Sequence, residues 1–289
     1  MNEVNAPLAA HRDHRREWKD FLYVYPVISR RSHGVSLGVN LNPDKICNFD
    51  CVYCEVDRRT PPRTRIVDLD LLERELRALL DVWKSGDLFR APPFALAPPE
   101  ARRLNDIAFS GDGEPTTCPL FPEAIALAAE VRRSRSLDDV LLRVITDGAY
   151  LSRPRVREAL TLMDANNGEI WAKLDAGTEE YYRLVNRPNV PLATVLANTL
   201  DAARRFRVVI QSLWMNVRGQ PPADAEIDAF AGRLVDILNS GGRLRLVQVY
   251  TVARHTAEPY VTPLTGEQLH AIGDRVRRAV DVPIDVFGS

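Results

Sequence analysis

Three of the four cysteines fall within CNFDCVYCEV, residues 47–56, as Cys47, Cys51 and Cys54. Thiolates at this density are ligands for soft metals, iron or zinc. Zinc sites usually take four ligands, as two close pairs or as Cys pairs with His. No second pair is present here: His33 lies upstream, and His255 and His270 far downstream. An iron–sulfur cluster held by three cysteines leaves one iron open to bind and activate a ligand, whereas an electron-transfer ferredoxin closes all four positions with Cys. Cys118, in PTTCPL, is the remaining thiol. As a fourth ligand it would turn the protein into a non-catalytic electron carrier. Otherwise it is a proton donor, a radical relay, or a small residue under a loop. Offsets of four and seven also fit one face of a helix. Asn42-Pro43-Asp44 upstream and the polar Asn48 and Asp50 between the thiols disfavour that packing explanation.

Something must carry these thiols. SLGVNLNP, 36–43, alternates apolar and polar residues at period two, which predicts a strand running directly into Cys47. FLYVYPVISR, 21–30, predicts an opening strand that Pro26 confines to an edge or a break. Leu69, Leu72, Leu76, Leu79, Leu80 and Trp83 recur at helical spacing, so 69–84 is an amphipathic helix with Asp68 as its N-cap. Strand and helix then alternate. NDIAFSG, VLLRVITDG, EIWAKLDA, RVVIQSLWMN and LRLVQVYTV read as strands. PEAIALAAEVRR, about 152–163, TVLANTLDAARRF, ADAEIDAFAGRLVDILNSG and GEQLHAIGDRVRRAV read as helices, and PIDVF as a last short strand. Six strand–helix units predict an α/β fold with parallel strands; a barrel or partial barrel is favoured over a doubly wound sheet, a choice that periodicity does not decide. APPFALAPPEARR, 91–103, is a proline-rich insertion expected to form a flexible loop or flap.

With 289 residues and 45% hydrophobic content, the chain can bury one sizeable core. Residues 1–20 read as a polar arm and 21–289 as one barrel domain. A formal charge of −1 provides no global field for nucleic acid or an anionic membrane. No apolar run approaches the ~20 residues that span a bilayer, and the polar N-terminus lacks the apolar segment of a secretory signal. The expected location is the cytoplasm, where clustered cysteines serve metal or redox chemistry rather than disulfides.

The C-x3-C-x2-C spacing, with Tyr53 before the last Cys, resembles the signature of the radical S-adenosylmethionine (radical SAM) superfamily. LGVNLNPDKICNFDCVYC is most similar to its branch related to the wyosine-base synthases that modify tRNA. The likeness covers roughly residues 21–289 and is strongest at 33–57 and 107–117. It implies a partial (β/α)6 TIM-type barrel with the cluster at the C-terminal mouth of the strands. It also implies a [4Fe–4S] cluster on Cys47, Cys51 and Cys54, with SAM chelating the open iron. One electron would then split the sulfonium, usually giving a 5′-deoxyadenosyl radical that abstracts hydrogen from substrate. IAFSGDGEPT, 107–116, resembles the GGEP motif that holds the SAM amino group, with Asp112 where the motif has its first glycine. Gly111 and Gly113 let backbone approach a ligand closely, and Glu114, ahead of Pro115, can accept from an ammonium. Thr146, Lys173 and Asp175 match positions that contact the SAM ribose and carboxylate, with Gln211, Asn216 and Gln248 as further candidates. Lys173 and Asp175 share one side of their strand at period two, which an ordinary structural ion pair would also explain.

A one-electron donor, flavodoxin or ferredoxin, is implied as partner. The implied substrate is a small molecule or an RNA base in the barrel mouth, with no membrane and no DNA. Wyosine synthases also hold pyruvate on a lysine, and Lys173 is the only lysine well placed on a strand. The arginine groups at 132–135, 153–157, 204–207 and 275–278 fall mostly on helices. A solvated outer face is the commoner reason for such groups, so RNA binding would need a local patch.

Overall fold

In this computed structural model the described residues are 18–90 and 92–288. Nearly all of the arm expected over 1–20 lies outside them. The elements in chain order are β1 (Val24–Ser29), β2 (Gly34–Val39), α1 (Leu69–Lys84), β3 (Leu104–Phe109), α2 (Phe121–Ser134), β4 (Leu141–Thr146), α3 (Pro154–Asp164) and β5 (Gly168–Lys173). Then follow α4 (Glu179–Asn186), α5 (Leu192–Arg205), β6 (Val208–Val217), α6 (Asp224–Asn239), β7 (Leu244–Thr251), β8 (Val261–Pro263), α7 (Gly266–Ala279) and β9 (Ile284–Phe287). Helix α1 has the predicted bounds, and the Asp68 side chain accepts from Leu71 N–H. Two compact units divide the chain. Of the described residues, the first takes 18–47, 60–90, 92–145 and 154–169, and the second takes 48–59, 146–153 and 170–288.

In the first unit β1 runs antiparallel to β2, while β2–β3 and β3–β4 are parallel. Pro26 sits in β1 opposite Leu37, in the outer strand, where its missing N–H costs least. Helix α1 is fastened to β1 through the buried Glu75, whose carboxylate accepts from Leu22 N–H at 2.7 Å, Tyr23 N–H at 2.9 Å and Val24 N–H at 3.2 Å. Deeper in this unit Arg143 ion-pairs with Asp106 and, at 2.8 Å, with Glu169. All three are buried. Burial pushes the Asp106 carboxyl up, opposed by Arg143 and by Ser36.

In the second unit β5–β6, β6–β7 and β7–β9 are parallel. The short β8 runs antiparallel to the end of β6. Helix α4 is held at its start by Glu226 of α6, which accepts from Gly177 N–H at 2.5 Å, from Thr178 N–H at 3.2 Å and from the Thr178 hydroxyl. Gly177 is required there, because a Cβ would lie 2.0 Å from the Phe230 nitrogen.

The sequence reading differs from the fold in several places. The strand expected over 36–43 ends at Val39, and seven residues of turn intervene before Cys47. Asn40 starts that turn, its Oδ1 accepting from Asn42 N–H at 3.0 Å, so the alternation past Val39 is turn chemistry. The described part of the proline-rich insertion, 92–103, contains local structure. It makes 3-10 turns at Phe94–Leu96 and Pro99–Arg102, buries Phe94 and Ala97, and ends with Arg103 C=O accepting from Val35 N–H at 2.8 Å. Asp175 lies two residues beyond the end of β5 rather than within it. Helix α4 and strand β8 were not expected from the sequence; three residues of β8 are too few to establish a period.

Candidate functional site

The segment carrying Cys47, Cys51 and Cys54 contains no helix. That removes the helix-face explanation of the spacing. A turn closes between Cys51 C=O and Cys54 N–H at 3.0 Å, and none of the four cysteines is in a disulfide.

Cys47 belongs to the first unit, as does the turn at 111–115. That turn packs on the segment leading to Cys47. A Cβ on Gly113 would lie 2.2 Å from Ile46 C=O, and one on Gly111 would lie 2.3 Å from Asn40 Oδ1. Only glycine permits both approaches. Asn40 also binds the turn directly, donating from Nδ2 to Asp112 at 2.9 Å and accepting from Asp112 N–H at 3.2 Å. Asn42 donates to Thr117 Oγ1 at 3.1 Å. Glu114 is buried and caps the 3-10 turn Pro115–Thr117, accepting from Thr116 N–H at 3.1 Å. Cys118 ends this turn. It is buried, and its thiol is pushed up by burial, with Asp44 and Glu123 adding to the shift.

Cys51, Tyr53 and Cys54 belong to the second unit, where they meet β5. The Tyr53 hydroxyl donates to Asp175 Oδ2. Lys173 Nζ donates to Asp175 Oδ1 at 3.3 Å and to the Tyr250 hydroxyl at 3.0 Å. It also lies 4.8 Å from the centre of the Tyr53 ring, in cation–π range. Asp175 is completed by Leu213 N–H at 2.8 Å and by Asn186 Nδ2 at 3.0 Å. Asn186 Nδ2 also lies 3.0 Å from the Tyr53 hydroxyl and 3.6 Å from Cys51 Sγ, so its two N–H groups are shared among three acceptors. Burial pushes the Cys51 thiol up to about 12 and holds the Tyr53 phenol well above its usual range. Burial acts to lower the Lys173 ammonium, but Asp175, Tyr250 and Cys51 outweigh it and raise it.

The same unit clamps the backbone of the cysteine segment. Val52 N–H donates to Val185 C=O at 2.9 Å, Ala257 N–H to Cys54 C=O at 2.7 Å and Glu258 N–H to Val52 C=O at 3.2 Å. Arg187, in the left-handed region at the end of α4, ion-pairs with Asp50 at 3.2 Å and Glu258 at 2.7 Å, and donates to the Tyr260 hydroxyl. Arg254 pairs with Glu55 at 2.8 Å.

The remaining candidates are placed as follows. Thr146, at the end of β4, is buried and accepts from Gly148 N–H at 3.1 Å. Gln211 is buried opposite Lys173 in register, and its amide donates to Gln248 Oε1 at 2.9 Å. Asn216 donates to Pro263 C=O at 2.8 Å, at the pairing with β8. Asn40, Asn186, Arg187 and Tyr250 were not singled out from the sequence. For Asn186 and Arg187 a signal existed: Thr178 ahead of Glu179 and Glu180 is a helix-start pattern, and Tyr182 and Val185 follow at helical spacing. Most of the arginines grouped on helices are engaged within the chain. Arg132 donates to the Leu137, Asp138 and Val140 carbonyls, Arg204 to Ser240 C=O, and Arg135 and Arg275 pair with Asp81 and Asp228.

Among the described residues, no three His, Cys, Asp or Glu side chains converge on a point that could hold a single metal ion. A cluster asks for something different, because each thiolate binds its own iron. The chemistry of the donor set fits such a group: three cysteines outside disulfides, with N–H donors on two of the sulfurs.

Solved structures share this arrangement of elements. SuiB of Streptococcus suis bound to its precursor peptide SuiA superposes with a TM-score of 0.60 at 12% identity, covering 87% of this chain and 48% of that one. The chain shares the fold of SuiB. TYW1 with a lysine–pyruvate adduct bound matches with a TM-score of 0.52 at 16% identity, over 86% of this chain and 74% of that one. The α/β partial-barrel class expected from the strand–helix alternation is therefore present. In sequence, the chain is 24% identical over 264 residues to a protein named GTPase Obg from Brachyspira hyodysenteriae, covering 90% of this chain and 34% of that protein. It is 30% identical over 182 residues to a UPF0026 protein of Methanocaldococcus jannaschii, covering 63% of this chain and 48% of that protein. The chain thus spans between about a third and a half of these two relatives. No protein-family model matches it. No helix among the described residues is long and apolar enough to cross a membrane.

Proposed function

We propose that the protein is a radical SAM enzyme in which Cys47, Cys51 and Cys54 hold a [4Fe–4S] cluster. The observation that carries this reading is the hydrogen-bonded chain from Lys173 through Asp175, Tyr53 and Asn186 to Cys51. It ties a cysteine of the signature to two polar residues that the superfamily resemblance assigns to SAM. SuiB has also been solved with S-adenosylmethionine bound, with a TM-score of 0.57 to this chain. When bound, the cluster supplies a single electron to the sulfonium of SAM, and radical chemistry on a substrate follows.

The chain's own residues then have distinct tasks. Gly111, Asp112, Gly113, Glu114 and Pro115 form the turn that would receive the SAM amino group, fixed by Asn40 and by the Thr116 cap. Asp175 is held by four donors, which fix the orientation of its carboxylate. Lys173 stays an ammonium. Among the described residues two of its three donors are engaged, leaving one for a ligand carboxylate. Tyr53 remains a protonated donor. Thr146 and Gln211 are buried polar contacts beside strands β4 and β5–β6 and complete the assignment. A flavodoxin- or ferredoxin-like donor is the reductant.

The substrate is a small molecule or an RNA base. Among the described residues, the pairing of Arg133, Arg135, Arg155, Arg205 and Arg275 with carboxylates favours the small molecule, because each of these charges already has a counter-ion within the chain. Anaerobic protein reconstituted with iron and sulfide, reduced with dithionite and mixed with SAM, should release 5′-deoxyadenosine or another cleavage product. SAM left intact after complete reduction would defeat the proposal. Binding to tRNA that falls steeply with salt would move the substrate from small molecule to RNA.

A further inference from the structure

Two side chains outside the signature donate to its sulfurs. Asn186 Nδ2 lies 3.6 Å from Cys51 Sγ, and Arg58 Nη1 lies 3.3 Å from Cys54 Sγ. They differ in environment. Asn186 is buried at the end of α4 and is oriented by its bonds to Tyr53 and Asp175, whereas Arg58 is exposed on the segment just after Cys54. A cysteine bound to iron is a thiolate, a good acceptor, and its negative charge grows when the cluster takes up an electron. Hydrogen bonds to the sulfurs and local solvent exposure are among the factors that set cluster potentials.

We propose that Asn186 and Arg58 set the reduction potential of the cluster held by Cys47, Cys51 and Cys54, by donating hydrogen bonds to the sulfurs of Cys51 and Cys54. This rests on the cluster reading above. The sign follows from charge: the reduced cluster is one electron more negative, so each donor stabilises it more than the oxidised form and raises the potential. Asn186 does a second job, because the same amide binds Asp175 and Tyr53. One side chain thereby couples the carboxylate beside β5 to a ligand sulfur, and a change at either end reaches the other through a single amide. Arg58 acts without that coupling, at an exposed position 3.3 Å from the sulfur, where only high salt, with a Debye length of ~3 Å at 1 M, screens its charge.

The test is a potentiometric titration of the reconstituted protein, followed by the cluster's electron paramagnetic resonance signal, in the absence of SAM and substrate. Asn186→Leu removes the buried donor and Arg58→Ala the exposed one. Each should reduce the fraction of cluster reduced at a fixed solution potential several-fold, a tenfold fall being about 59 mV for a one-electron couple. Arg58→Lys should restore much of the loss. The Arg58→Ala effect should shrink in high salt while the Asn186→Leu effect persists. If Asn186→Leu fails to fold, the exposed Arg58 pair decides the matter. Potentials unchanged in these variants at wild-type iron and sulfide content would overturn the inference while leaving the cluster reading intact. A wild-type protein that takes up no iron and sulfide would overturn both.

Discussion

Lys173 and Asp175 form a 3.3 Å ion pair in which the carboxylate is wholly shielded and the ammonium side chain only 19% exposed. A buried pair of this kind is costly to break from one side, because the survivor stays behind as an uncompensated charge. Asp175→Ala should therefore destabilise the protein by about 3–5 kcal/mol, and Lys173→Met by less, since Asp175 keeps three neutral donors. Urea unfolding of the two metal-free variants measures the difference. Equal losses would count against an unpaired-charge penalty.

The same pair decides whether Lys173 can form an imine with a keto acid. An imine forms from a neutral amine, and Lys173 is held as an ammonium by Asp175 and Tyr250. Borohydride treatment with pyruvate at pH 7 should leave Lys173 unlabelled in a peptide map. In the Asp175→Asn variant labelling should increase. Ready labelling of the wild-type lysine would remove the argument for its fixed charge.

Alkaline pH should weaken the metal-free protein. The Cys51 thiol is raised in the fold from an ordinary value of 9.0 to about 12 by burial. Above the ordinary value the unfolded chain loses a proton that the folded one keeps, so stability is full below about pH 9 and declines toward 12. Lys173, raised in the fold, adds a loss of the same sign above its unfolded value of ~10.4. Unfolding midpoints measured from pH 7 to 11 should fall only in the upper part of that range. Cys51→Ser should flatten the first part of the decline.

Gly113→Ala tests the turn at 111–115. The added methyl would meet Ile46 C=O, a backbone atom that cannot rotate away. The expected cost is about 1–3 kcal/mol, as for other overpacked sites. Iron uptake should drop with it, because the displaced carbonyl immediately precedes Cys47. Cys118→Ala, in contrast, should keep its iron. Loss of the cluster in that variant would favour the electron-carrier alternative.

Arg143 is a control away from the site. Arg143→Met leaves Asp106 and Glu169 facing each other without their cation, with an expected loss of about 3–5 kcal/mol. Replacing all three by apolar residues should recover much of it, and calorimetry of the single and triple variants separates the two costs.

Much of this was legible in the chain itself. Spacing alone marked Cys47, Cys51 and Cys54 as candidate ligands. The bounds of α1 followed from six apolar residues at helical spacing and one capping aspartate, because such patterns report local geometry that every turn repeats. The alternation of strands and helices carried the fold class for the same reason. The partners of the cysteines could not be read that way. Tyr53 meets Asp175 across 122 positions and Cys51 meets Asn186 across 135. No local period links residues so far apart. Their meeting depends on where β5 ends and how α4 is seated by Glu226, and on the burial that then fixes their charges. The sequence determined the fold class and singled out the candidate ligands. Only the tertiary structure decided which side chains surround those ligands, because hydrogen bonds and desolvation belong to neighbours in space rather than neighbours along the chain.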